Sequence, residues 1–475
     1  MGGVDNYYIT TTLPYVNADP HIGFALELVQ TDCLARYHTL TEDKVIFNTG
    51  TDEHGLKIYQ KALEQKKDPQ AYCYEYAKKF EILKEALNLS YTHFIRTTDP
   101  HHVKAAQAFW GLCAKNGDIY KKNYQQKYCV GCELEKSDSE LVDGECPLHP
   151  GKKLEVINEE NYFFKFSRYQ KPLLDLYQKN PNFVIPRERF GEIVTFVEGG
   201  LKDFSVSRQK TKMPWGVSVP NDPDHVMYVW FDALINYIST LGWPEDENNF
   251  KTFWPGVQVA GKDNLRQQTA MWQAMLMSAG LPTSKQIFIH SFITSDGQKM
   301  SKSLGNVVDP LALVDKYGTE AVRYFLLAKM NPYEDSDFTV KRFEEAYNAD
   351  LANGLGNLVS RVAKMATGLE FKPGRLDKEK IYQEEWGKAL SDFRFDLALQ
   401  QIWLDIVAVD KHINQNTPWL VKDQDKLYRI LEEEIEEIRK IAIRLAPFLP
   451  ETAGKIEGIF TAEKIVATTP LFPRI

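Results

Sequence analysis

The chain contains little cysteine and no long apolar segment, and each shortage excludes a class of protein. Six cysteines among 475 residues are too few for a disulfide-stapled secreted domain, so a reducing, cytoplasmic location is expected. No apolar run approaches the roughly 20 residues that a membrane-spanning helix needs. The N-terminal residues also lack the basic and apolar segments of a secretory signal. The sequence therefore predicts a protein that is neither secreted nor bound to a membrane.

The chain also lacks an excess of basic residues. It has 57 lysines and arginines against 65 acidic residues, a net charge of −8, and a pI near 5.8. This balance argues against a nucleic-acid partner held by bulk electrostatics, although a local basic track remains compatible with one. With 475 residues, 43% of them hydrophobic, the chain is too long for one core and predicts roughly two to four domains.

Alternating strand and helix signals predict an α/β fold. Residues 7–12 are β-branched and aromatic, as in a buried strand, and residues 21–38 favour a helix. Strands are also predicted at 45–49, 257–260 and 286–290. Strand, turn, helix and strand in this order indicate a Rossmann-like, doubly wound parallel sheet.

The pattern divides the chain into five segments. Short strand-like runs and clustered cysteines interrupt the α/β pattern, and apolar residues at helical spacing dominate the last third of the chain. We predict a first α/β half, a connective insertion, a second α/β half, a linker and an all-α bundle at 1–116, 117–223, 224–310, 311–345 and 346–475.

Two segments carry residue types that handle phosphate. Residues 20–23 (Pro-His-Ile-Gly) stand at a predicted helix start, where free backbone N–H groups and the helix dipole attract anions. There Gly23 permits close approach of a nucleotide, and His21 can donate to phosphate oxygens. Residues 299–303 (Lys-Met-Ser-Lys-Ser) place two ammonium groups on one loop, where they can neutralise a departing pyrophosphate. Taken singly, a helix cap and a solvated basic loop are the plainer explanations.

Together the two segments resemble the HIGH and KMSKS motifs of class I aminoacyl-tRNA synthetases. The loop matches all five positions, whereas Phe24 replaces the last histidine of the first motif, so one phosphate contact of the family is missing. The resemblance implies that ATP binds with Mg²⁺ and that His21, Lys299 and Lys302 are catalytic. The implied ATP site comprises His21, Gly23, Phe24, Gly261, Asp263, Lys299, Ser301 and Lys302.

Further segments narrow the resemblance to methionyl-tRNA synthetases and extend it over nearly the whole chain. They lie at 13–17, 50–55, 228–233, 261–263 and 416–419. By this resemblance, L-methionine reacts with ATP to give methionyl-adenylate, and tRNA(Met) then accepts the methionyl group. Positioning and charge stabilisation suffice for such chemistry without a side-chain nucleophile.

These segments also imply a methionine pocket. Asp52 follows a predicted strand, where its carboxylate can hold an α-ammonium group, while a helix cap is its alternative role. Aromatic side chains suit a polarizable thioether, although core packing would explain any one of them. The implied pocket comprises Leu13, Tyr15, Asp52, Trp230, Ala233, Tyr237, Asn264 and Gln268.

Two pocket positions depart from the family. Relatives have an aliphatic residue at the position of Asn264 and a histidine at that of Gln268. The two residues are four apart, so we expect them to share one helix face. An amide can donate a hydrogen bond towards sulfur, a weak acceptor, as a neutral histidine does. We expect Gln268 to replace the histidine and methionine specificity to be kept, with altered specificity as the alternative.

Clustered cysteines predict a metal site in the insertion. Cys129 and Cys132 are followed by Cys146 and His149, and each pair has two intervening residues. Four such ligands suit tetrahedral Zn²⁺, and three unpaired buried cysteines are the alternative. The segment resembles synthetases with one zinc knuckle, so we expect one structural Zn²⁺ per chain.

The C-terminal bundle is expected to read the anticodon. The family uses an asparagine, an arginine on the same helix face and a tryptophan after a proline, and the matching residues are Asn357, Arg361 and Trp419. Unpaired bases suit aromatic stacking and edge hydrogen bonds. Without the resemblance, bundle packing and a solvated helix face would be the preferred explanation.

Two other functions fit parts of this pattern. One is a class I synthetase for cysteine, valine or leucine, although the insertion is too short for the large editing domain of the aliphatic group. The other is an RNA-binding or regulatory paralogue without catalysis, which the intact loop at 299–303 argues against. Because the chain ends just after the bundle, we expect a monomer.

Lys302 is predicted to stabilise the transition state of adenylation. Lys302→Ala should raise the barrier by about 3 kcal/mol, because removal of one preorganised donor costs this much. ATP–pyrophosphate exchange measures the effect, and the KM for methionine should stay near its wild-type value. An exchange rate equal to that of the wild type would contradict the assignment.

Overall fold

The computed structural model describes residues 6–41, 43–131, 134–136, 140–300 and 305–475. The first α/β segment consists of β1 (Asn6–Thr10), α1 (Ile22–Leu40), β2 (Lys44–Thr51), α2 (Leu56–Glu64), α3 (Pro69–Glu81), α4 (Leu83–Ala86), β3 (His93–Arg96) and α5 (Pro100–Lys115).

The middle of the chain is rich in short strands. Its elements are β4 (Ile119–Cys129), β5 (Leu134–Lys136), β6 (Glu155–Phe164), α6 (Gln170–Lys179), β7 (Val184–Ile185), α7 (Arg187–Glu198), β8 (Phe204–Ser205), β9 (Ser207–Gln209), β10 (Ser218–Val219) and β11 (Asp222–Met227). Within the described residues, β5–β4–β6–β8 and β10–β11–β9 form two small sheets.

The α/β pattern then returns. Its second part consists of α8 (Val229–Ala233), α9 (Asn236–Ser239), α10 (Glu247–Phe253), β12 (Val257–Gly261), α11 (Trp272–Ala279), β13 (Gln286–His290), β14 (Ile293–Ser295) and β15 (Gln298–Lys299).

The last part of the chain is mostly helical. Its elements are α12 (Pro310–Tyr317), α13 (Thr319–Ala328), the short strand β16 (Ser336–Phe338), α14 (Val340–Ala346), a π-helical stretch (Tyr347–Gly356), α15 (Asn357–Met365), α16 (Lys378–Tyr382), α17 (Glu385–Ser391), α18 (Phe395–Asn416), α19 (Gln424–Leu445) and α20 (Pro450–Phe460). Over the described parts of the chain, every helix is too short or too polar to cross a bilayer.

Six strands form the central sheet of the described structure, in the order β3–β2–β1–β12–β13–β7. All neighbouring pairs are parallel. The chain winds outwards from β1 through β2 to β3, and in the opposite direction from β12 to β13, so β1 and β12 meet at a switch point. The predicted doubly wound sheet is therefore confirmed, and β1, β2, β12 and β13 are the four strands expected from the sequence.

Apolar side chains cover both faces of this sheet, as a parallel sheet requires. On β13, Phe288 packs into the cluster that also contains α1 and much of the helical bundle. Its neighbours Ile287 and Ile289 point into the opposite cluster, with α5 and α11. Strand β1 divides in the same way, with Ile9 on the first face and Tyr8 on the second. This two-residue period fixes the register of the strands at the switch point.

The range predicted as a connective insertion also contributes to the central sheet. Strand β7 pairs with β13 at the edge of the sheet, with Val184 opposite Ile287. A strand of two residues is too short to give a periodic signal, so the sequence pattern did not reveal it. The range 117–223 is therefore only partly an insertion, because its strand β7 belongs to the central sheet.

A buried arginine joins the helical bundle to α1. Arg323 of α13 is fully buried and lies 2.8 Å from Asp32 of α1. Its guanidinium also donates to the carbonyls of Leu87, Pro447 and Phe448. Because a buried ion pair is tolerated only when its remaining hydrogen-bonding groups are satisfied, these bonds fix the position of the bundle against α1.

Candidate active site

The carboxyl ends of β1, β2 and β12 open into a cavity of about 410 Å³. Open α/β sheets bind ligands at such a switch point. All eight residues predicted for methionine and three of those predicted for ATP line it, namely Leu13, Tyr15, Asp52, Trp230, Ala233, Tyr237, Asn264, Gln268, His21, Phe24 and Asp263. The structure thus brings the two predicted groups of residues into one cavity.

His21 caps the N-terminus of α1 beside this cavity. Its Nδ1 accepts a hydrogen bond from the backbone N–H of Gly23 at 3.1 Å. Desolvation lowers the pKa of His21, so the ring is neutral at neutral pH. A neutral ring that accepts at Nδ1 carries its proton on Nε2. The start of α1 therefore offers backbone N–H groups and one imidazole donor to an anion.

The predicted phosphate loop lies against the same helix start. The Cε atom of Met300 is 3.9 Å from the position that a Cβ on Gly23 would occupy. Lys299 ends β15, whereas Ser301 and Lys302 lie outside the described residues. The two motifs are therefore neighbours in space, as their assignment to one ATP site requires.

Asp52 follows the last residue of β2 and forms part of the cavity wall. It forms a parallel backbone bridge with Tyr15, and only 2% of the residue is exposed. Helix α2 begins at Leu56 after Gly55, and no side chain caps it, so the alternative role of Asp52 as a helix cap is wrong. A carboxylate at a cavity wall with so little solvent attracts an ammonium group.

The chain after β12 forms the opposite wall. A Cβ on Gly261 would lie 2.9 Å from Oδ1 of Asp263, so glycine lets the chain turn tightly here. A 3₁₀ turn carries Asp263 and Asn264, and a π-helical turn beginning at Gln267 carries Gln268. The helix is less regular than predicted, yet Asn264 and Gln268 share the cavity face as expected.

Gln268 is hydrogen-bonded to a second side chain of the cavity wall, Tyr237. Its Nε2 lies 2.6 Å from the hydroxyl oxygen of Tyr237. Burial raises the pKa of Tyr237, so the phenol keeps its proton. The backbone carbonyl of Tyr237 in turn accepts from the hydroxyl of Tyr8. The amide and the phenol are therefore a coupled pair that the sequence did not predict.

An aromatic wall connects the cavity to the predicted metal site. The rings of Tyr15 and Trp230 meet edge to face, with centroids 6.2 Å apart. Tyr128, on the strand that leads to the cysteines, belongs to the same apolar cluster. Lys57 lies 5.9 Å from the centroid of the Tyr15 ring and donates to the carbonyl of Gly131. Sequence patterns did not single out Lys57, although it stands two residues after the segment at 50–55.

A buried ion pair between Glu27 and His290 lies at the switch point. The sequence did not predict it. Glu27 of α1 accepts from the backbone and hydroxyl of Thr12 and lies 2.9 Å from Nε2 of His290. The other ring nitrogen, Nδ1, faces the carbonyl of Ser291 at 2.8 Å. Burial opposes the charged ring, but the hydrogen bond and charge of Glu27 outweigh it and raise the pKa of His290. Since both nitrogens face acceptors, the ring is an imidazolium.

Three of the four predicted metal ligands converge. The donor atoms of Cys129, Cys146 and His149 lie within 4.8 Å of one another, and both sulfurs are buried. Nδ1 of His149 is 3.8 Å from one sulfur and 4.0 Å from the other, near the ligand spacing of about 3.6 Å expected around tetrahedral Zn²⁺. Cys132 lies outside the described residues. The donor set therefore fits a thiophilic metal.

A Cβ at position 131 would lie 2.5 Å from the ring of His149. This close approach explains the glycine between the first two cysteines, since any other residue would displace the ring.

The residues predicted to read the anticodon are grouped on the bundle surface. Asn357 and Arg361 lie on α15, and Asn357 is exposed. The guanidinium carbon of Arg361 is 6.0 Å from the ring centroid of Trp419 and its Nη2 is 3.0 Å from Asp410. The indole is 53% exposed, so Trp419 is not a core residue of the bundle.

Comparison with known proteins agrees with this geometry. The model of the family "tRNA synthetases class I (M)" matches residues 7–154 and 148–363. A methionine–tRNA ligase of Thermosynechococcus vestitus is 42% identical over 95% of this chain and 89% of its own length. One of Thermotoga maritima is 40% identical over 95% of this chain and 74% of its own.

Solved structures give the same result. The Mycobacterium tuberculosis methionyl-tRNA synthetase in complex with methionyl-adenylate matches with a TM-score of 0.91 and 36% identity, over 99% of this chain and 100% of that chain. Fold, cavity and sequence agree, and the chain belongs to the methionyl-tRNA synthetases of class I.

Proposed function

We propose that this chain joins L-methionine to tRNA(Met) in an ATP-dependent reaction with a methionyl-adenylate intermediate. One observation carries the proposal: a single cavity holds a buried carboxylate, an aromatic wall and the start of α1. The relative from M. tuberculosis was solved with methionyl-adenylate, which supports the same intermediate here.

In the first step, a carboxylate oxygen of methionine attacks the α-phosphorus of ATP, and pyrophosphate leaves with the bridging oxygen. Asp52 holds the α-ammonium group, and the rings of Tyr15 and Trp230 contact the thioether side chain. The start of α1 and Nε2–H of His21 hold the phosphates, and Lys299 and Lys302 stabilise the departing charge. Mg²⁺ enters with ATP and neutralises part of the phosphate charge.

In the second step, a ribose hydroxyl of the terminal tRNA adenosine attacks the methionyl carbonyl carbon, and AMP leaves. We assign anticodon reading to the surface with Asn357, Arg361 and Trp419, since an exposed indole beside a guanidinium suits an unpaired base. We further propose a cytoplasmic monomer and keep the five-segment division of the chain, with β7 assigned to the α/β domain.

ATP–pyrophosphate exchange with each amino acid in turn tests the proposed reaction. Methionine should support exchange, whereas cysteine, valine and leucine should not. Exchange with one of those amino acids instead would make the chain a different class I synthetase. Absence of exchange with every amino acid would indicate a paralogue without catalysis.

The cysteine cluster is proposed to hold one structural Zn²⁺ through Cys129, Cys132, Cys146 and His149. Elemental analysis of protein purified without added metal should find one zinc per chain, and Cys146→Ala should lose it. Cys113→Ala is the matched control, because Cys113 is equally buried but does not belong to the cluster, and it should keep the metal. Purified wild-type protein without stoichiometric metal would refute the site.

The pair of Gln268 and Tyr237 is proposed to recognise the thioether sulfur. An amide can be turned over with little change in shape, and in either orientation the pair keeps one N–H or O–H for the cavity. Gln268→His should retain methionine activation. Gln268→Leu should reduce the preference for methionine over norleucine by about fivefold, the value of one weak hydrogen bond. The ratio of kcat/KM values in exchange measures this, and an unchanged ratio would mean that the pair does not read sulfur.

Trp419 is proposed to stack on an anticodon base. Trp419→Ala should raise the KM for tRNA, because loss of a base–aromatic stack costs about 1–3 kcal/mol, and should leave tRNA-independent exchange intact. Leu420→Ala is the matched control, since Leu420 is the next residue and is even more exposed. Unaltered tRNA charging by the tryptophan variant would show that the indole does not contact the anticodon.

A further inference from the structure

Behind the methionine cavity, a buried carboxylate is held between two histidines. Asp232 of α8 is fully buried. Its Oδ2 lies 2.6 Å from Nδ1 of His54, and its Oδ1 lies 2.9 Å from Nε2 of His102. Burial alone would favour the neutral acid, but His54 and His102 lower the pKa of Asp232 to about 2. The carboxylate is thus ionised and accepts from both rings.

This carboxylate connects two sides of the cavity. On its own helix, α8, Trp230 and Ala233 line the cavity. His54 stands two residues after Asp52, on the loop that leaves β2. Asp232 therefore ties the wall that is proposed to contact the thioether to the loop that is proposed to hold the ammonium group.

Two further links across the cavity are neutral and longer. Nδ2 of Asn48 on β2 donates to Oδ1 of Asn236 at 3.2 Å, and the hydroxyl of Tyr8 on β1 donates to the carbonyl of Tyr237 at 2.8 Å. Hydrogen bonds to a charged group are roughly twice as strong as neutral ones. The bond between Asp232 and His54 is accordingly the strongest of these cross-cavity links.

We infer that Asp232 is a positioning residue for L-methionine, which sets the distance between Asp52 and the wall formed by Trp230 and Ala233. The inference rests on the methionine site proposed above. Methionine must meet both sides at once, so a looser wall weakens binding of the amino acid. ATP binds at the start of α1 and the end of β12, which Asp232 does not touch, so its binding should change little.

The histidine partners make an isosteric test possible. Nδ1 of His102 lies 2.9 Å from the hydroxyl oxygen of Ser239, and a hydroxyl can either donate or accept. In Asp232→Asn, His102 can therefore change tautomer and accept from the new amide, while His54 still donates to its oxygen. The asparagine variant loses the charge but keeps both hydrogen bonds. Asp232→Ala loses both bonds.

Two measurements on the full chain test the inference: the KM values in ATP–pyrophosphate exchange, and the Kd of L-methionine alone by calorimetry. Asp232→Ala should raise the KM and Kd for methionine roughly tenfold, the equivalent of one charge-assisted hydrogen bond. The KM for ATP should change by less than about twofold. Asp232→Asn should recover most of the methionine affinity, and His54→Ala should resemble Asp232→Ala.

Asp118→Ala is the matched control for buried-carboxylate loss. Asp118 is also fully buried and accepts from Tyr169, Ser278 and Arg168, but it does not line the cavity. This variant should lower the Tm and leave the KM for methionine unchanged.

A purely structural role for Asp232 predicts a different result. Its alanine variant would then behave like Asp118→Ala, with a lower Tm and an unchanged methionine KM, and this outcome overturns the inference. If Asp232→Ala does not fold, the KM for methionine of His54→Ala replaces it, and an unchanged value overturns the inference. Failure of the proposed function is separate, since the wild-type chain would then neither bind methionine nor exchange pyrophosphate with it.

Discussion

The parallel pairing of β1 with β12 is the constraint on which the rest of the molecule depends. These two strands are distant in sequence, and the chain leaves them towards opposite edges of the sheet. Their carboxyl ends therefore open a gap, which is the cavity described above. Helix α1 starts at one side of this gap and the turn with Asp263 follows at the other. A nucleotide and an amino acid can meet there because the topology leaves room for both.

Two buried carboxylates lie next to this gap, and each is held by hydrogen bonds to histidine. The imidazolium of His290 neutralises Glu27, which also holds Thr12 just after β1. On the other side of the sheet, the carboxylate of Asp232 accepts hydrogen bonds from two histidines. Because unpaired charges are costly in a protein interior, each pair fixes the elements that carry it. The cavity walls are thus held by ionic hydrogen bonds in addition to apolar packing.

Much of this architecture was predictable from residue patterns. The four strands around the switch point are rich in β-branched and apolar residues, and long helices of the bundle carry a clear helical period, so the sequence revealed both. Strand β7 was not, because two residues in an edge strand have no period to detect. The resemblance to class I synthetases supplied the residues that line the cavity. All eight residues predicted to bind the substrate methionine lie there.

The pairwise contacts were beyond the reach of sequence patterns. The coupling of Gln268 to Tyr237, and of His290 to Glu27, joins residues that are 31 and 263 positions apart. No local propensity records which polar side chains meet across such a separation. Lys57 was missed for the same reason, since its proximity to Tyr15 and Gly131 follows only from folding of the insertion over the sheet. Sequence identified the groups, and three-dimensional packing determined their partners.

The buried guanidinium of Arg323 is a rigid connection between the helical bundle and α1. It contacts α1 through Asp32, and it contacts the segment between α19 and α20 through the carbonyls of Pro447 and Phe448. A guanidinium held by acceptors from three separate chain segments resists both sliding and rotation. Sliding of the bundle against α1, the helix that begins beside His21, would break several of these hydrogen bonds at once. The position of the bundle relative to α1 is therefore fixed by buried polar contacts as well as by apolar packing.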